Sequence, residues 1–397
     1  MGHIADLSLQ QRAEFRVRPL ALRGKRRDLS QYEAHLAALS VTALTGTSFD
    51  APDPLAALGW SPHFAAQLTD EDAELTPLRI ASVQRNKATG LGPDGPQRLS
   101  YSNDLSAADV AVGDWVVANT TTTQIMRILP RTSQLSRRAA GVEAKAQLLA
   151  ANVDTLFITT SCNADFNLAR LERYVVLALD AGIHPAILLT KADQCDDPAA
   201  YVAQATALSD KIIAVLAINA KDPAQVDQLR AWCGPGQTVA FVGSSGVGKS
   251  TIINTLTGAD QTTADIRADD AKGRHTTTAR SLHLLAGGGL VIDMPGMREL
   301  GLHDVAGGID VLFDDIFKLA GQCRFRDCAH VSEPGCAVKA AIDAGTVSAE
   351  RVERWRKLKS EDKLNTTTMG MDRKRARALT RSHRAIQAEQ RGKKGDK

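Results

Sequence analysis

The run Gly243-Ser244-Ser245-Gly246-Val247-Gly248-Lys249-Ser250 has the composition and spacing of a phosphate loop. It follows the apolar stretch 238–242 and precedes the helical pattern that starts at Thr251, which is the strand–loop–helix context such a loop needs. Its glycines let backbone N–H groups curl around phosphates, and the helix N-terminus adds partial positive charge. Lys249 is expected to reach the β- and γ-phosphates and Ser250 to ligate Mg²⁺. Asp293-Met294-Pro295-Gly296 ends the next apolar stretch, so Asp293 can hold Mg²⁺ through water and Gly296 can offer its N–H to the γ-phosphate. Between them lies Gly273-Arg274-His275-Thr276-Thr277-Thr278. A hydroxyl of this threonine run, with Thr277 the candidate, can complete the Mg²⁺ shell and sense the γ-phosphate. His275 either positions water or phosphate, or is an ordinary hydrogen-bonding loop histidine.

A base-reading motif comes earlier in the chain rather than later. In Thr190-Lys191-Ala192-Asp193, the carboxylate can accept from guanine N1–H and the exocyclic amine, a donor pair adenine lacks, and the Lys191 stem can lie over the base. Asn219-Ala220-Lys221 follows another apolar stretch and can present a backbone N–H to guanine O6. The nucleotide is therefore expected to be GTP or GDP with Mg²⁺. An ATPase or kinase on the same loop is the competing enzyme reading, and Asp193 argues against it. A nucleotide-gated RNA-binding module with incidental hydrolysis is the competing non-enzymatic one.

A further constellation is Cys323-x4-Cys328-x-His330-x5-Cys336. Three thiols and an imidazole in so short a span suit a closed tetrahedral Zn²⁺ site of structural type. The remaining cysteines, Cys162, Cys195 and Cys233, read as ordinary residues.

The elements that must position these groups fall into blocks. Leu78, Ile80 and Val83, a Gly/Pro-rich loop over 86–97, and short strands at 112–117 and 125–129 suggest a small β-barrel, OB-like or SH3-like. From Ala151 the pattern becomes strand–helix–strand, with strands at 154–160, 185–190, 212–218, 238–242 and 289–293. Leu168, Leu171, Val175 and Leu179 share one helical face. Continuous apolar strands between helices mean a parallel sheet covered on both sides. The expected division is an N-terminal extension over 1–74 whose role the sequence leaves open, an OB-like barrel over 75–135, a circularly permuted P-loop α/β GTPase domain over 136–305, and a helical zinc-binding domain with a basic tail over 306–397.

The 397 residues carry a net charge of only +3, unevenly placed. From Arg351 onward 16 Lys+Arg face 6 Asp+Glu, a net of +10, which leaves −7 for the rest and points to a polyanionic partner or a merely solvated face. Residues 363–397 read as a polar, partly disordered stretch. No apolar run is long enough to span a membrane and the start lacks a secretory pattern. Thiols clustered with a histidine suit a reducing compartment, so a cytoplasmic protein with no membrane partner is expected.

Taken together, these motifs resemble the circularly permuted, ribosome small-subunit-dependent GTPases (ribosome small subunit biogenesis GTPase A). The resemblance covers about 75–360, including Ala151-Asn152-Val153-Asp154 and Phe166-Asn167-Leu168-Ala169-Arg170-Leu171-Glu172-Arg173-Tyr174. It implies an OB domain, a permuted G domain and a zinc domain. It also implies late maturation of the 30S subunit, contact with 16S rRNA, and GTP hydrolysis stimulated by that subunit; a monomer is expected. Carried onto this chain, it assigns Gly243–Thr251 to the phosphate loop, Thr276–Thr278 to the switch, Asp293–Gly296 to the Mg²⁺/γ-phosphate motif and Thr190–Asp193 to the base. The zinc ligands would be Cys323, Cys328, His330 and Cys336. The chain departs from the usual GTPase motif at Thr190, where asparagine is common; a threonine hydroxyl can still tie the loop, with lower base affinity expected. Met297 stands where Ras-like enzymes carry a catalytic glutamine, and an apolar residue cannot orient water.

Overall fold

In the computed structural model, the described residues are 54–138, 146–258, 280–285, 287–294, 302 and 304–367. His275, the threonines 276–278, Gly296 and Met297 lie outside them, as do residues 1–53 and 368–397.

Strands β1 (Thr76–Val83), β2 (Ala88–Gly92), β3 (Gly95–Tyr101), β4 (Trp115–Asn119) and β5 (Gln124–Ile128) run in the order β1-β2-β3-β5-β4. β4 pairs back onto β1 and closes the barrel. The β3–β5 pair is parallel and the other barrel pairs are antiparallel, which makes this an OB topology and removes the SH3-like alternative. Leu78, Ile80, Leu99, Val116 and Ile125 fill it.

The stretch read as a Gly/Pro-rich loop is instead the β2–β3 hairpin, turned at Pro93-Asp94 with Gly95 at φ +93°. Its glycines belong to a strand because Leu78 lies against them. A Cβ on Gly92 would stand 2.3 Å from Leu78 Cδ2, and one on Gly90 3.1 Å from Leu78 Cβ. Ahead of the barrel, short helices α1 (Pro54–Ala57) and α2 (Pro62–Ala65) carry Trp60 and Phe64 onto Trp115, with ring centroids 4.7 and 5.9 Å away. Strands β6 (Gln134–Arg138) and β7 (Ala146–Ala151) form an antiparallel pair between the barrel and the next domain.

The second sheet contains β8 (Thr155–Ser161), β9 (His184–Thr190), β10 (Ala214–Ile218), β11 (Thr238–Val242), β12 (Ser281–Leu284) and β13 (Leu290–Asp293) in the order β10-β9-β8-β11-β13-β12. Only β12 is antiparallel to its neighbour. The chain walks outward from β8 to β10, then returns to lay β11 on the other side of β8. That reversal opens a crevice at the carboxyl ends of β8 and β11, the usual ligand position in such sheets.

Helix α3 (Leu168–Asp180) is capped by the Asn167 side chain, which accepts from Arg170 N, and buries Leu171, Val175 and Leu179 as the pattern predicts. Helices α4 (Pro198–Thr206), α5 (Pro223–Asp227) and α6 (Lys249–Thr257) complete the cover. One pair, Ser82↔Ser281, joins the barrel to the second sheet. Buried Arg79 adds to this joint: it donates to Leu58 O and Asn152 O and to Thr238 Oγ1 at the start of β11.

The C-terminal part holds α7 (Ala306–Leu312), α8 (Asp314–Ala320), α9 (Ala337–Asp343) and α10 over 349–367. Helix α10 packs against α3. Arg354 Nε donates to both carboxylate oxygens of fully buried Glu172, at 2.9 and 2.8 Å, and Arg351 donates to Leu208 O and Leu312 O. Some of the positive charge counted in the tail is therefore spent inside the fold.

Candidate nucleotide and metal sites

The phosphate loop sits at the end of β11, where the parallel ladder delivers it between β8 and β13. Its shape depends on glycine. Gly243 has φ +137° and a Cβ there would stand 2.0 Å from Thr159 O; Gly246 and Gly248 have φ +80° and +95°. Lys249 opens α6 and its Nζ donates to Gly243 O (2.7 Å) and Ser244 O (2.5 Å), so the ammonium sits within the loop. Ser244 is half-buried and Ser245 exposed, whereas Val247 is buried and pins the loop to the core. Ser250 and Thr251 stand exposed in the first turn of α6.

The residues expected to read the base come to the same place from two other strand ends. Thr190 ends β9, fully buried, and its hydroxyl lies 2.6 Å from Val247 O and 3.0 Å from Thr160 O. The residue that departs from the usual motif thus ties the phosphate loop to β8 and β9. A Cβ on Gly248 would meet Ala220 Cβ at 3.3 Å and Thr190 Cγ2 at 3.8 Å. Those contacts bring three sequence-distant motifs within one van der Waals layer. Lys191 is left-handed (φ +58°) and starts a 3₁₀ turn over Ala192–Gln194, which leaves Asp193 exposed at the crevice end of β9. Asn219 Oδ1 accepts from Lys221 N at 2.9 Å, and Asn219 N donates to Gln225 Oε1 at 2.8 Å, so the loop after β10 is folded by its own side chains.

Asp293 ends β13 opposite Ser281. His283 is a neighbour the sequence did not flag. Its Nε2 lies 2.7 Å from Ser281 Oγ. Burial lowers the ring below its ordinary pKa, and the Asp293 charge works the other way. The alternation Ser281-Leu282-His283 was the available signal, because it puts both polar residues on the face of Asp293. Thr159 and Thr160 were also missed as site residues. Their carbonyls shape the loop, a role that side-chain identity cannot reveal.

The metal candidates converge. The ligand atoms of Cys323, Cys328, His330 and Cys336 all lie within 4.8 Å of one another. Cys323 Sγ is 3.4 Å from His330 Nδ1 and 3.9 Å from Cys336 Sγ, and Cys336 Sγ is 3.5 Å from His330 Nδ1. A tetrahedral Zn²⁺ with Zn–S of about 2.3 Å and Zn–N of about 2.0 Å has edges of about 3.8 Å between sulfurs and about 3.5 Å from sulfur to nitrogen. The cluster therefore fits that ion.

The surroundings fit as well. Cys336 caps α9, its sulfur accepting from Lys339 N. Burial raises the Cys323 thiol, but N–H groups of Ala337 and Val338 at the start of α9 donate to it and the net direction is down. Cys328 is pushed up to about 11, by burial first, with the two neighbouring thiols adding to it. Sulfurs that resist ionising together are relieved by a shared cation. Left-handed His330 (φ +59°) aims the ring inward, and Glu333 accepts from the N–H groups of Ala329, Val331 and Ser332 to hold the turn.

The RsgA GTPase family model matches residues 128–303. The chain is 54% identical over 330 residues to the small ribosomal subunit biogenesis GTPase RsgA of Mesorhizobium japonicum, covering 82% of this chain and 94% of that protein. It is 46% identical over 340 residues to RsgA 2 of Vibrio vulnificus, covering 85% of this chain and 96% of that one. Among solved structures, YjeQ from Thermotoga maritima superposes with a TM-score of 0.53 at 22% identity, over 72% of this chain and 97% of its own. YloQ, titled a circularly permuted GTPase, superposes at 0.50 and 23%, over 75% and 98%. With the phosphate loop late in the chain, the base loops early, and all three at one crevice, the chain belongs to the RsgA GTPase family and has the fold of a circularly permuted GTPase.

Proposed function

We propose that this GTPase acts as a switch in late maturation of the 30S subunit, binding 16S rRNA as a cytoplasmic monomer whose hydrolysis is stimulated by that subunit. The observation that carries the reading is the packing of Gly248 against Thr190 and Ala220, which lets one nucleotide span the phosphate and base loops. The relatives' printed name, small ribosomal subunit biogenesis GTPase, supplies the partner.

In this reading Gly243–Thr251 cradle the phosphates, Lys249 neutralises charge on the β- and γ-phosphates, and Asp193 with Lys191 reads guanine beside Asn219 and Ala220. Ser250, Asp293 and the Thr277 region hold Mg²⁺, which supplies charge neutralisation at the phosphates. Gly296 offers its N–H to the γ-phosphate and His275 positions the attacking water. Cys323, Cys328, His330 and Cys336 hold a structural Zn²⁺. The working division stays 75–135 for the barrel, 136–305 for the GTPase domain and 306–397 for the zinc domain and tail, with 54–74 joined to the barrel through Trp60 and Phe64.

Met297 cannot orient water, so turnover by the isolated protein is slow. The deciding experiment is GTP turnover with and without purified small subunits. A large stimulation, lost in Lys249→Ala, is expected; brisk hydrolysis by the protein alone would contradict the switch. Association with the subunit should weaken steeply with added salt, because phosphate contacts release counterions. GTP should outcompete ATP, and the reverse would overturn the role of Asp193.

A further inference from the structure

Beside the metal cluster is a cavity of about 410 Å³, lined by Phe317, Phe325, Trp355, Lys318, Arg326 and Lys359 among others. Scattered exposed apolar side chains are normal, but here Phe317 and Phe325 are 48% and 42% exposed on one cavity. Trp355 is 3% exposed, and its indole Nε1–H is a buried donor with no acceptor among the described residues. Lys359 Nζ lies 4.9 Å from the Trp355 ring centroid, and the His330 ring lies 5.4 Å from it, so the metal cluster and the cavity share a wall. Arg326 has no carboxylate partner among the described residues. Lys318 pairs with Asp314 at 3.0 Å in an exposed pair that exchanges readily for another anion, and Lys359 lies 3.8 Å from half-buried Asp310.

We propose that this cavity receives an unstacked base of single-stranded RNA, with the exposed Phe317 and Phe325 as its aromatic walls, buried Trp355 beneath them, and Arg326, Lys318 and Lys359 on the flanking phosphates. Exposed aromatic faces and cations at the mouth are together what a nucleotide satisfies. The base brings a π-face and carbonyl or ring-nitrogen acceptors, and the backbone brings charge. An A-form duplex keeps its bases stacked and offers only phosphate and sugar, so the cavity discriminates between strands by what can enter it. The inference rests on the reading that the protein binds RNA, and it narrows that contact from phosphate attraction to a base-stacking subsite.

The test uses the zinc-loaded full-length chain with a labelled octauridylate and a blunt RNA duplex of equal length. Octauridylate is expected to bind more tightly than the duplex and to quench a fluorescence component that disappears in Trp355→Phe. Phe325→Ala should weaken octauridylate binding on the order of tenfold with little effect on the duplex. Phe325→Leu, which keeps apolar volume without the π-face, should show most of that loss. Arg326→Ala should reduce the salt slope by about one. Equal binding of duplex and single strand, or octauridylate affinity unchanged in both Phe325 variants, overturns the proposal. So does a Phe325 variant that loses the small subunit yet keeps octauridylate, since the occupant is then protein. Small-subunit pelleting by the wild-type chain is scored separately: its failure sinks the proposed function, while the oligonucleotide arm still decides the cavity.

Discussion

The two candidate sites of this molecule are built in opposite ways. The candidate metal cluster draws its four side chains from one segment, 323–336, and its geometry is set by short-range devices: a left-handed histidine, a carboxylate clasping three N–H groups, and a helix start under two sulfurs. The nucleotide crevice is assembled from residues 159–193, 219–221 and 243–251, brought together by the sheet and locked by the Thr190 hydroxyl and the bare Cα of Gly248. A locally built site should fail alone. A site built by tertiary packing should fail wherever the packing is disturbed, whichever strand end is touched.

Metal removal gives the largest effect. Structural zinc in small domains is worth about 10–16 kcal/mol of apparent binding energy, coupled to folding. Cys323→Ser or exhaustive chelation should abolish bound zinc and strip hydrogen-exchange protection from 321–336. Affinity for a GTP analogue should stay within about threefold, because no ligand of the cluster touches the crevice. A parallel collapse of nucleotide binding would show that the sites are not independent.

Within the crevice, the two extremes of the phosphate loop should respond unequally. Gly243→Ala puts a methyl 2.0 Å from the Thr159 carbonyl at φ +137°, and backbone there cannot yield without moving β8. Strain and clash together should cost about 3 kcal/mol or more, a hundredfold or greater loss in GTP-analogue binding. Gly246→Ala, at φ +80° with open space around it, should cost only about 1 kcal/mol. Equal losses at both positions would mean that the approach to Thr159 is not what shapes the loop.

Legibility follows the same division. The cluster could be read from spacing because its geometry is local, and the OB barrel from its strands and turns. The hairpin over 88–101 could not, since Gly90 and Gly92 look like loop residues until Leu78 is seen filling the space their side chains would occupy. The phosphate loop was legible as a motif, and the base motif as a pair of strand ends. What the sequence withheld was the join. Thr190 reads as a hydroxyl that can still tie a loop, but only the fold shows that it reaches Val247 O, 57 positions along the chain. Arg79 carries no signal in the sequence, yet it is buried between Leu58, Asn152 and Thr238, with burial holding its pKa down to about 10. Long-range hydrogen bonds leave no periodicity behind.

Thr190→Val isolates that join. It keeps shape and burial but strands the Val247 carbonyl, a cost of about 1–3 kcal/mol. GTP-analogue affinity should fall about tenfold, while zinc content is unchanged. Titration calorimetry on the variant checks both, and an unaltered dissociation constant would show that the hydroxyl does not position the loop.

The smallest effect is expected where the segment after β13 meets helix α3. Gly308 crosses so close that a Cβ would stand 2.3 Å from Val176 O, and its N–H donates to Asp180 Oδ1 at 3.1 Å. Burial raises the Asp180 carboxyl to about 6; the Gly308 hydrogen bond opposes this, and the charges of Asp304 and Asp362 add to it. The folded value therefore lies above the unfolded one near 3.8. The native state binds the extra proton between those values, so the contribution is fully present below about pH 4 and is lost as pH rises through 6. Asp180 keeps appreciable exposure, and solvent screening should hold the difference below about 1 kcal/mol. Asp180→Asn should remove that part of the pH dependence of the melting temperature and leave the variant no less stable than the parent at pH 7. A variant melting curve that kept the parent's slope between pH 4 and 6 would show that Asp180 does not carry this pH dependence.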